Sequence, residues 1–281
     1  MIKWAFFGAD DFSVTALEEL ISRGLKPRLI VTMPDAPAGR KQAFNPPLIK
    51  EWARKKKMEV SQPDNLKDFA LQLKNNYWDL FVIASYGKIL PQSLLDAPKF
   101  GVINIHPSLL PLYRGPSPIE TAILDGAKET GVTIMLVDEK IDHGGILVQE
   151  RIILGGDEWY PELAETLAKK GGELMAKIIP LWIDGKVTAQ TQDDSKATYS
   201  KMIKKEDGFI DLKDDPTANF RKIRAFEPWP RTYFIAQRSG KNIRVIISLA
   251  HVEKNRLIID RVIPEGSRQM EYSDFLKGLR Q

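Results

Sequence analysis

Two polar residues, Asn104 and His106, lie two positions apart at the end of an apolar run, and Asp142 lies in a glycine-rich turn further along the chain. Because side chains alternate along a strand, Asn104 and His106 are expected to point to the same face. An imidazole and a carboxylate can exchange protons and an amide can donate hydrogen bonds, so this set could support acid–base chemistry. Alternatively, His106 has only a structural role and Asp142 only stabilises the turn in which it lies. The spacing alone does not bring Asp142 to His106.

The elements around these residues alternate between strand-like and helix-like segments. Short apolar runs predict strands at 2–7, 28–32, 80–84, 102–105, 132–137 and 146–153. Helical spacing predicts helices over 12–21, 47–57, 66–74, 121–124 and 161–182, with a proline- and glycine-rich loop over 33–46. This alternation is typical of an α/β fold, here a Rossmann-like, mainly parallel sheet with helices on both faces. Ligands of such sheets bind at the carboxyl ends of the strands, where Asn104 and His106 are placed.

The segment after His106, residues 107–118, is a loop punctuated by proline and glycine. Loops of this length are uncommon in compact domains unless they line a site. We therefore expect this loop to form one wall of a pocket.

A change in composition predicts two domains. Residues 186–205 are polar and turn-rich, which is typical of a linker between a first domain over 1–185 and a second over 206–281. The second domain has helical spacing over 217–225 and short β-rich runs at 232–236, 243–249 and 256–262. Short strands at close spacing predict a small, OB-like β-barrel.

The composition excludes several classes of protein. The 281-residue chain has no cysteine, which excludes disulfides, thiolate nucleophiles and sulfur-ligated metal sites and agrees with a reducing compartment. No apolar run approaches the roughly 20 residues that span a bilayer, and the first apolar run is too short for a signal peptide. We expect a soluble cytoplasmic protein.

The net charge of +4 is unevenly distributed along the chain. Residues 201–281 hold 17 Lys and Arg and 11 Asp and Glu, a net charge of +6. Either this is a solvated basic surface or the second domain faces a nucleic acid.

Three stretches resemble the signature of the folate-dependent formyltransferases. They are the run Asn104-Ile-His-Pro-Ser-Leu-Leu-Pro-Leu-Tyr-Arg-Gly-Pro-Ser-Pro-Ile119, the run Glu129-Thr-Gly-Val-Thr-Ile-Met135 and the run Ile141-Asp-His-Gly-Gly-Ile-Leu147. Further stretches resemble the branch of the family that acts on methionyl-tRNA, namely Pro34-Asp-Ala-Pro-Ala-Gly-Arg40, Ala84-Ser-Tyr-Gly-Lys-Ile-Leu-Pro91, Glu227-Pro-Trp-Pro230 and Met270-Glu-Tyr-Ser-Asp-Phe-Leu276. The resemblance covers nearly the whole chain.

The resemblance implies that a formyl group moves from 10-formyltetrahydrofolate to the α-amino group of methionine on initiator methionyl-tRNA. It implies a catalytic set of Asn104, His106 and Asp142 and no metal. Asn104 and a protonated His106 would stabilise the oxyanion on the formyl group, and Asp142 would stabilise the imidazolium and accept the proton of the amine. Without a cysteine, direct transfer is simpler than a formyl-enzyme intermediate.

The resemblance also implies the binding residues. The folate would contact Ser108, Leu109, Leu110, Pro111, Ile89, Leu90, Val137 and Asp138. Apolar walls and backbone groups suit a flat heteroaromatic ring. The alternative for Ile89 and Leu90 is that they pack in the core.

Transfer RNA would be bound by cationic residues in both domains, and the protein is expected to act as a monomer. The resemblance implies Arg40 in a loop that enters the acceptor stem, and Lys41 lies beside it. In the second domain the candidates for phosphate contacts are Lys204, Lys205, Arg221 and Arg224. Trp229, which stands between two prolines, is interpreted as a packing or interdomain residue rather than one that stacks on a base.

Some positions depart from the family pattern, and two rival functions stay open. The first turn has Gly8-Ala-Asp-Asp11 where Gly-Thr-Pro-Asp is usual, and the second domain is shorter than usual. A formyltransferase that acts on an amino-sugar nucleotide is one rival, and a catalytically inactive RNA-binding module is the other. A nicotinamide-dependent dehydrogenase is disfavoured because this turn lacks the G-x-G-x-x-G pattern.

Overall fold

The computed structural model describes residues 2–38, 43–74, 76–238 and 240–279. The strands are β1 (Trp4–Phe7), β2 (Leu29–Val31), β3 (Ala36–Ala38), β4 (Ala43–Asn45), β5 (Val60–Ser61), β6 (Leu80–Ile83), β7 (Val102–His106), β8 (Glu129–Leu136), β9 (Ile146–Ile153), β10 (Tyr233–Arg238), β11 (Lys241–Glu253), β12 (Arg256–Pro264) and β13 (Met270–Glu271). The α-helices are α1 (Asp11–Ser22), α2 (Leu48–Lys55), α3 (Leu66–Lys74), α4 (Gln92–Leu95), α5 (Pro118–Asp125), α6 (Tyr160–Ile183), α7 (Pro216–Ala225) and α8 (Tyr272–Leu279). Short 3₁₀ helices lie at Asp194–Lys196 and Lys205–Gly208.

Seven strands form the large sheet, in the order β5-β2-β1-β6-β7-β8-β9. The pairs from β5 to β7 are parallel, and β8 runs antiparallel to β7. All four residues of β1 are buried, as expected for a parallel strand that is covered on both faces. The register places Phe7, Ile83 and Asn104 side by side, so β1, β6 and β7 end at the same edge.

Helix α1 shows how the local sequence sets these elements. The carboxylate of Asp10 caps the helix by accepting a hydrogen bond from the backbone N–H of Ser13, at 3.1 Å. Phe12, Ala16, Leu17 and Leu20 recur at helical spacing and are buried. The helix therefore begins directly after the turn that follows β1.

The predicted mainly parallel sheet with helices, followed by a small β-rich region, is confirmed. The loop predicted over 33–46 was too simple, because β3 and β4 form a short antiparallel hairpin within it. The two-residue strand β5 and the single turn α4 were missed, since such short elements carry almost no periodic signal. Strand β8 also begins earlier than predicted, at Glu129.

The chain divides into two compact units of interleaved segments. The first unit comprises Met1–Pro116, Thr130–Ile152 and Ala164–Tyr199, and the second comprises Ser117–Glu129, Ile153–Leu163 and Ser200–Gln281. The sequence-based division at 185 and 206 used contiguous ranges, and it stays a prediction.

The second unit contains a four-stranded antiparallel sheet in the order β10-β11-β12-β13. Its core includes Ile223 from α7, Phe275 from α8, and Phe234 and Val245 from the sheet. Helix α7 also packs on α5 within this unit.

None of the helices in the described part of the chain combines the length and the apolarity that a bilayer crossing requires.

Candidate active site

His106 and Asp142 meet at the carboxyl edge of the large sheet. The Nδ1 atom of His106 lies 3.7 Å from Oδ2 of Asp142, and His106 is only 3% exposed. The other ring nitrogen, Nε2, lies 3.0 Å from the carbonyl oxygen of Tyr113. Because a carbonyl oxygen only accepts hydrogen bonds, Nε2 carries the hydrogen of this bond. The other ring nitrogen, Nδ1, faces the carboxylate of Asp142.

Asn104 lies two residues before His106 on β7, so both side chains are on the same face of the strand. Its neighbours across the sheet are Ile83 on β6 and Met135 on β8. The structure thus places Asn104, His106 and Asp142 at one sheet edge, although their spacing did not bring Asp142 to the other two.

The turn that carries Asp142 is fixed by close contacts. Asp142 has a φ of 48°, in the left-handed region that few non-glycine residues adopt. Its Oδ2 accepts a hydrogen bond from the backbone N–H of Gly115, at 2.7 Å. A Cβ atom at Gly144 would lie 1.9 Å from the carbonyl oxygen of Leu136, so glycine is required there.

The loop after His106 is fastened to the sheet through Thr133. The Thr133 hydroxyl donates to the carbonyl oxygen of Ser108 at 2.7 Å and accepts from the backbone N–H of Leu110 at 3.1 Å. Gln149 donates to the same hydroxyl and to the carbonyl oxygen of Leu110, both at 2.8 Å. The peptide bond between Leu110 and Pro111 is cis.

The predicted folate residues in this loop present backbone more than side chain. Ser108 is fully buried, and its hydroxyl donates to the carbonyl oxygen of Leu112 at 2.6 Å. Leu110 is also buried, whereas Leu109 is half-buried and packs towards Gly131. A ligand would therefore meet the Ser108 and Leu110 positions through main-chain atoms.

The remaining predicted folate residues fall into two environments. Leu90 is a buried member of the core, as the alternative had it, while Ile89 is 73% exposed. Val137 and Asp138 line a cavity of about 690 Å³, whose other walls include Leu95, Phe100, Lys140, His143 and Trp182.

The predicted tRNA contacts differ in accessibility. Arg40 and Lys41 lie outside the described residues. Lys204 and Lys205 are exposed, and Arg221 is half-buried on α7. Arg224 is only 4% exposed, and burial lowers the pKa of its guanidinium. Nη1 of Arg224 donates to the carbonyl oxygen of Glu158 at 2.8 Å, so this side chain packs inside the second unit. The prediction that Arg224 contacts a phosphate is therefore not kept, because the guanidinium is buried.

Sequence reasoning missed a buried network beside the site. Arg114 is 2% exposed and donates hydrogen bonds to Gln192 and Asp194, which come from the segment predicted as a linker. Burial opposes the charge of Arg114, but hydrogen bonds to Asp194 and Tyr199 raise its pKa, and the same contact lowers the pKa of Asp194. The only signal was the cluster of amide and acidic residues in that segment, which also fits a solvated linker.

A resident metal has no set of ligands in the part of the chain that the structure describes. Within 2–38, 43–74, 76–238 and 240–279, no three His, Asp or Glu side chains are grouped so as to hold an ion.

Comparison with known proteins identifies the family. A sequence model described as "Formyl transferase" matches residues 2–179, and one described as "Formyl transferase, C-terminal domain" matches residues 202–256. The methionyl-tRNA formyltransferase of a Geobacillus species is 42% identical, over 99% of this chain and 95% of its own length. The chain belongs to the methionyl-tRNA formyltransferase family. The methionyl-tRNA formyltransferase of Halalkalibacterium halodurans is 37% identical over the same shares of the two chains.

Solved structures of other formyltransferases share the fold of this family member. An N-formyltransferase from Helicobacter canadensis, solved with folinic acid and dTDP-3-aminofucose, aligns with a TM-score of 0.64 and 18% identity, over 96% of this chain and 99% of its own. At this identity the likeness concerns the fold alone.

Proposed function

We propose that the protein transfers a formyl group from 10-formyltetrahydrofolate to the α-amino group of methionine on initiator methionyl-tRNA. The observation that carries this proposal is the approach of the His106 imidazole to the Asp142 carboxylate on the edge that also holds Asn104. The sequence relatives support this acceptor, because the two named above are methionyl-tRNA formyltransferases and their alignments cover nearly the whole of this chain.

His106, Asn104 and Asp142 divide the work of one acyl transfer. The amine attacks the formyl carbon and forms the new C–N bond, while negative charge develops on the formyl oxygen. The Asn104 amide and the Nδ1–H of protonated His106 donate to that oxygen, an arrangement often worth about 3 kcal/mol per donor. Asp142 accepts the proton that the amine loses. When the bond from the formyl carbon to N10 of the folate breaks, N10 takes up the proton that Asp142 received from the amine, so that neutral tetrahydrofolate leaves and Asp142 is again a carboxylate.

Direct transfer is favoured over a covalent formyl-enzyme. The chain has no cysteine. Ser108 lies next to the site, but its hydroxyl is buried and already donates to the carbonyl oxygen of Leu112. A hydroxyl held in this way has no base to activate it.

The formyl donor is proposed to lie along the loop that follows His106, over the backbone of Ser108 to Pro111, with its ring towards Leu90, Val137 and Asp138. Folinic acid bound to the Helicobacter canadensis protein supports a folate-derived donor for this fold. Among the apolar side chains of the proposed set, Ile89 is exposed and Leu109, Pro111 and Val137 are half-buried.

Transfer RNA is proposed to contact Arg40 and Lys41 in the first unit and Lys204, Lys205 and Arg221 in the second. Exposed cations supply affinity for phosphates with little sequence information. We propose a monomer that acts in the cytoplasm, where initiator tRNA is charged.

The direct test uses purified protein and 10-formyltetrahydrofolate with a labelled formyl group. We expect label on methionyl-tRNA and none on amino-sugar nucleotides. Label on an amino-sugar nucleotide alone would establish the rival enzyme, for which the shared fold with sugar N-formyltransferases is the supporting observation. Binding of methionyl-tRNA without any transfer would favour the inactive RNA-binding module.

A further inference from the structure

Two side chains outside the catalytic set, Arg114 and Gln192, are joined to the turn that carries Asp142. Gln192 Nε2 donates to the carbonyl oxygen of Asp142 at 2.9 Å and to that of Gly144 at 2.8 Å. We infer that Arg114 and Gln192 are positioning residues that hold this turn and so set the distance from the Asp142 carboxylate to His106. The inference rests on the proposed function, since it concerns the rate of the same transfer.

Arg114 determines which way the Gln192 amide points. Its Nε and Nη2 atoms donate to Oε1 of Gln192 at 3.1 and 2.8 Å. The amide oxygen is thereby committed to the guanidinium, and the two amide hydrogens are left to face the turn. Gln192 is 7% exposed, so water does not compete strongly for these bonds.

The turn needs this support because its backbone is unusual. Asp142 has a positive φ, and a non-glycine residue keeps such a conformation only when its surroundings impose it. The two carbonyl oxygens on either side of His143 are those that Gln192 binds. Without these bonds, the backbone at 142 could relax towards the common regions and carry the carboxylate with it.

The same loop residue supports Asp142 from a second side. Arg114 is followed in the chain by Gly115, whose N–H donates directly to Oδ2 of Asp142. The backbone N–H of Arg114 in turn donates to the carbonyl oxygen of Thr198, at 2.9 Å. Residues 114 and 115 therefore hold Asp142 at two points. Gly115 binds its carboxylate directly, and Arg114 orients Gln192, which binds its backbone carbonyl.

A buried arginine at this place would be costly if it served packing alone. Nη2 of Arg114 also donates to Oδ1 of Asp194 at 2.8 Å, and Nη1 donates to the hydroxyl of Tyr199 at 3.3 Å. These partners balance the charge, while the Nε and Nη2 atoms orient the neutral amide of Gln192.

The test separates the two contacts of Gln192, namely the one that its amide oxygen makes with Arg114 and the one that its amide nitrogen makes with the turn of Asp142. Gln192→Glu keeps an oxygen for Arg114 but removes both N–H donors to the turn, whereas Gln192→Met removes both functions. We expect Gln192→Glu to remain folded, with a smaller loss of melting temperature than Gln192→Met, and to lower kcat for formyl transfer about tenfold or more, with KM for either substrate changed less than about threefold. Asp193→Asn on the same segment is exposed and is the matched control, with wild-type kcat.

The ¹⁵N chemical shift of the His106 ring is a readout that does not depend on turnover. It can be assigned readily because the chain has three histidines. We expect the Nδ1 shift of His106 to move in Gln192→Glu and to stay unchanged in Asp193→Asn. Wild-type kcat together with a wild-type Nδ1 shift in folded Gln192→Glu would overturn the inference, as would a loss through KM alone. If Gln192→Glu does not fold, Arg114→Lys is used instead, and the same changes in kcat and in the Nδ1 shift are expected. Absence of transfer by the wild-type protein would refute the proposed function instead, while the Nδ1 shift would still test the positioning.

Discussion

Arg114 in the first unit and Arg224 in the second are both buried, yet their surroundings differ. Arg114 has the side-chain acceptors Gln192, Asp194 and Tyr199, and its pKa is raised. Arg224 donates to one backbone carbonyl and lies 4.9 Å from the ring of Phe220, its Nε has no partner, and burial lowers its pKa. The first arginine organises polar groups at the turn that carries Asp142, and the second packs against Phe220 within the second unit. Side-chain acceptors therefore offset the burial of Arg114, whereas one backbone carbonyl does not offset the burial of Arg224.

The largest expected effect lies in the first unit. His106→Ala removes the proposed donor to the oxyanion, and Asp142→Asn removes the proposed acceptor of the amine proton. We expect each to lower single-turnover formyl transfer about 10³-fold while methionyl-tRNA still binds. His251→Ala, at an exposed histidine of the second unit, should transfer at the wild-type rate. Near-normal transfer by a folded His106→Ala protein would refute the proposed mechanism.

The next effect tests the two arginines directly. Arg114→Met leaves the buried oxygen of Gln192 without its donor, and we expect a loss of about 3 kcal/mol in the free energy of unfolding. Arg224→Met replaces a poorly paired cation with an apolar chain of similar length, and we expect a change of about 1 kcal/mol or less. Urea unfolding of both variants measures this difference. Equal losses would mean that pairing does not distinguish the two sites.

A smaller effect is expected at the cations of the second unit that are proposed to contact tRNA. Lys204→Ala, Lys205→Ala and Arg221→Ala should each raise KM for methionyl-tRNA several-fold, leave kcat unchanged and reduce the dependence of binding on log salt concentration by about one unit. Lys186→Ala, an exposed lysine of the first unit that pairs with Asp184, is the control. If kcat falls instead, these residues take part in the chemical step.

The smallest effect concerns pH and Asp194. The hydrogen bond from Arg114 lowers the pKa of Asp194 in the folded protein, so its contribution to stability is present above the unfolded value of about 3.9 and is lost as pH falls through the lower folded value. We expect Asp194→Asn to be less stable than the wild type at pH 7 and equally stable near pH 2. Thermal melting across this range measures the difference, and a constant difference would contradict the assignment.

The sequence predicted those parts of the fold that have a local cause. Continuous apolar runs identified β1, β6 and β7, and helical spacing identified α1, because burial imposes these patterns on neighbouring residues. Strand β5 and helix α4 have too few residues to show a period. The direction of β8 depends on its pairing with β7, which no local pattern records.

The candidate site was predictable in part for the same reason. Strand alternation placed Asn104 with His106, but only the family resemblance connected these two residues with Asp142. The link from Arg114 to Gln192 joins residues 78 positions apart, and residue type alone did not separate a buried arginine from a solvated one. Likewise, the inward orientation of Ser108 follows from its bond to Leu112 and not from its being a serine.

Because β8 runs antiparallel beside β7, the residue opposite His106 is Thr133, whose hydroxyl fastens the loop that follows His106. This loop can leave the sheet only by giving up its hydrogen bonds to Thr133 and Gln149. Engineering of the loop should therefore keep Thr133 and Gln149 unchanged.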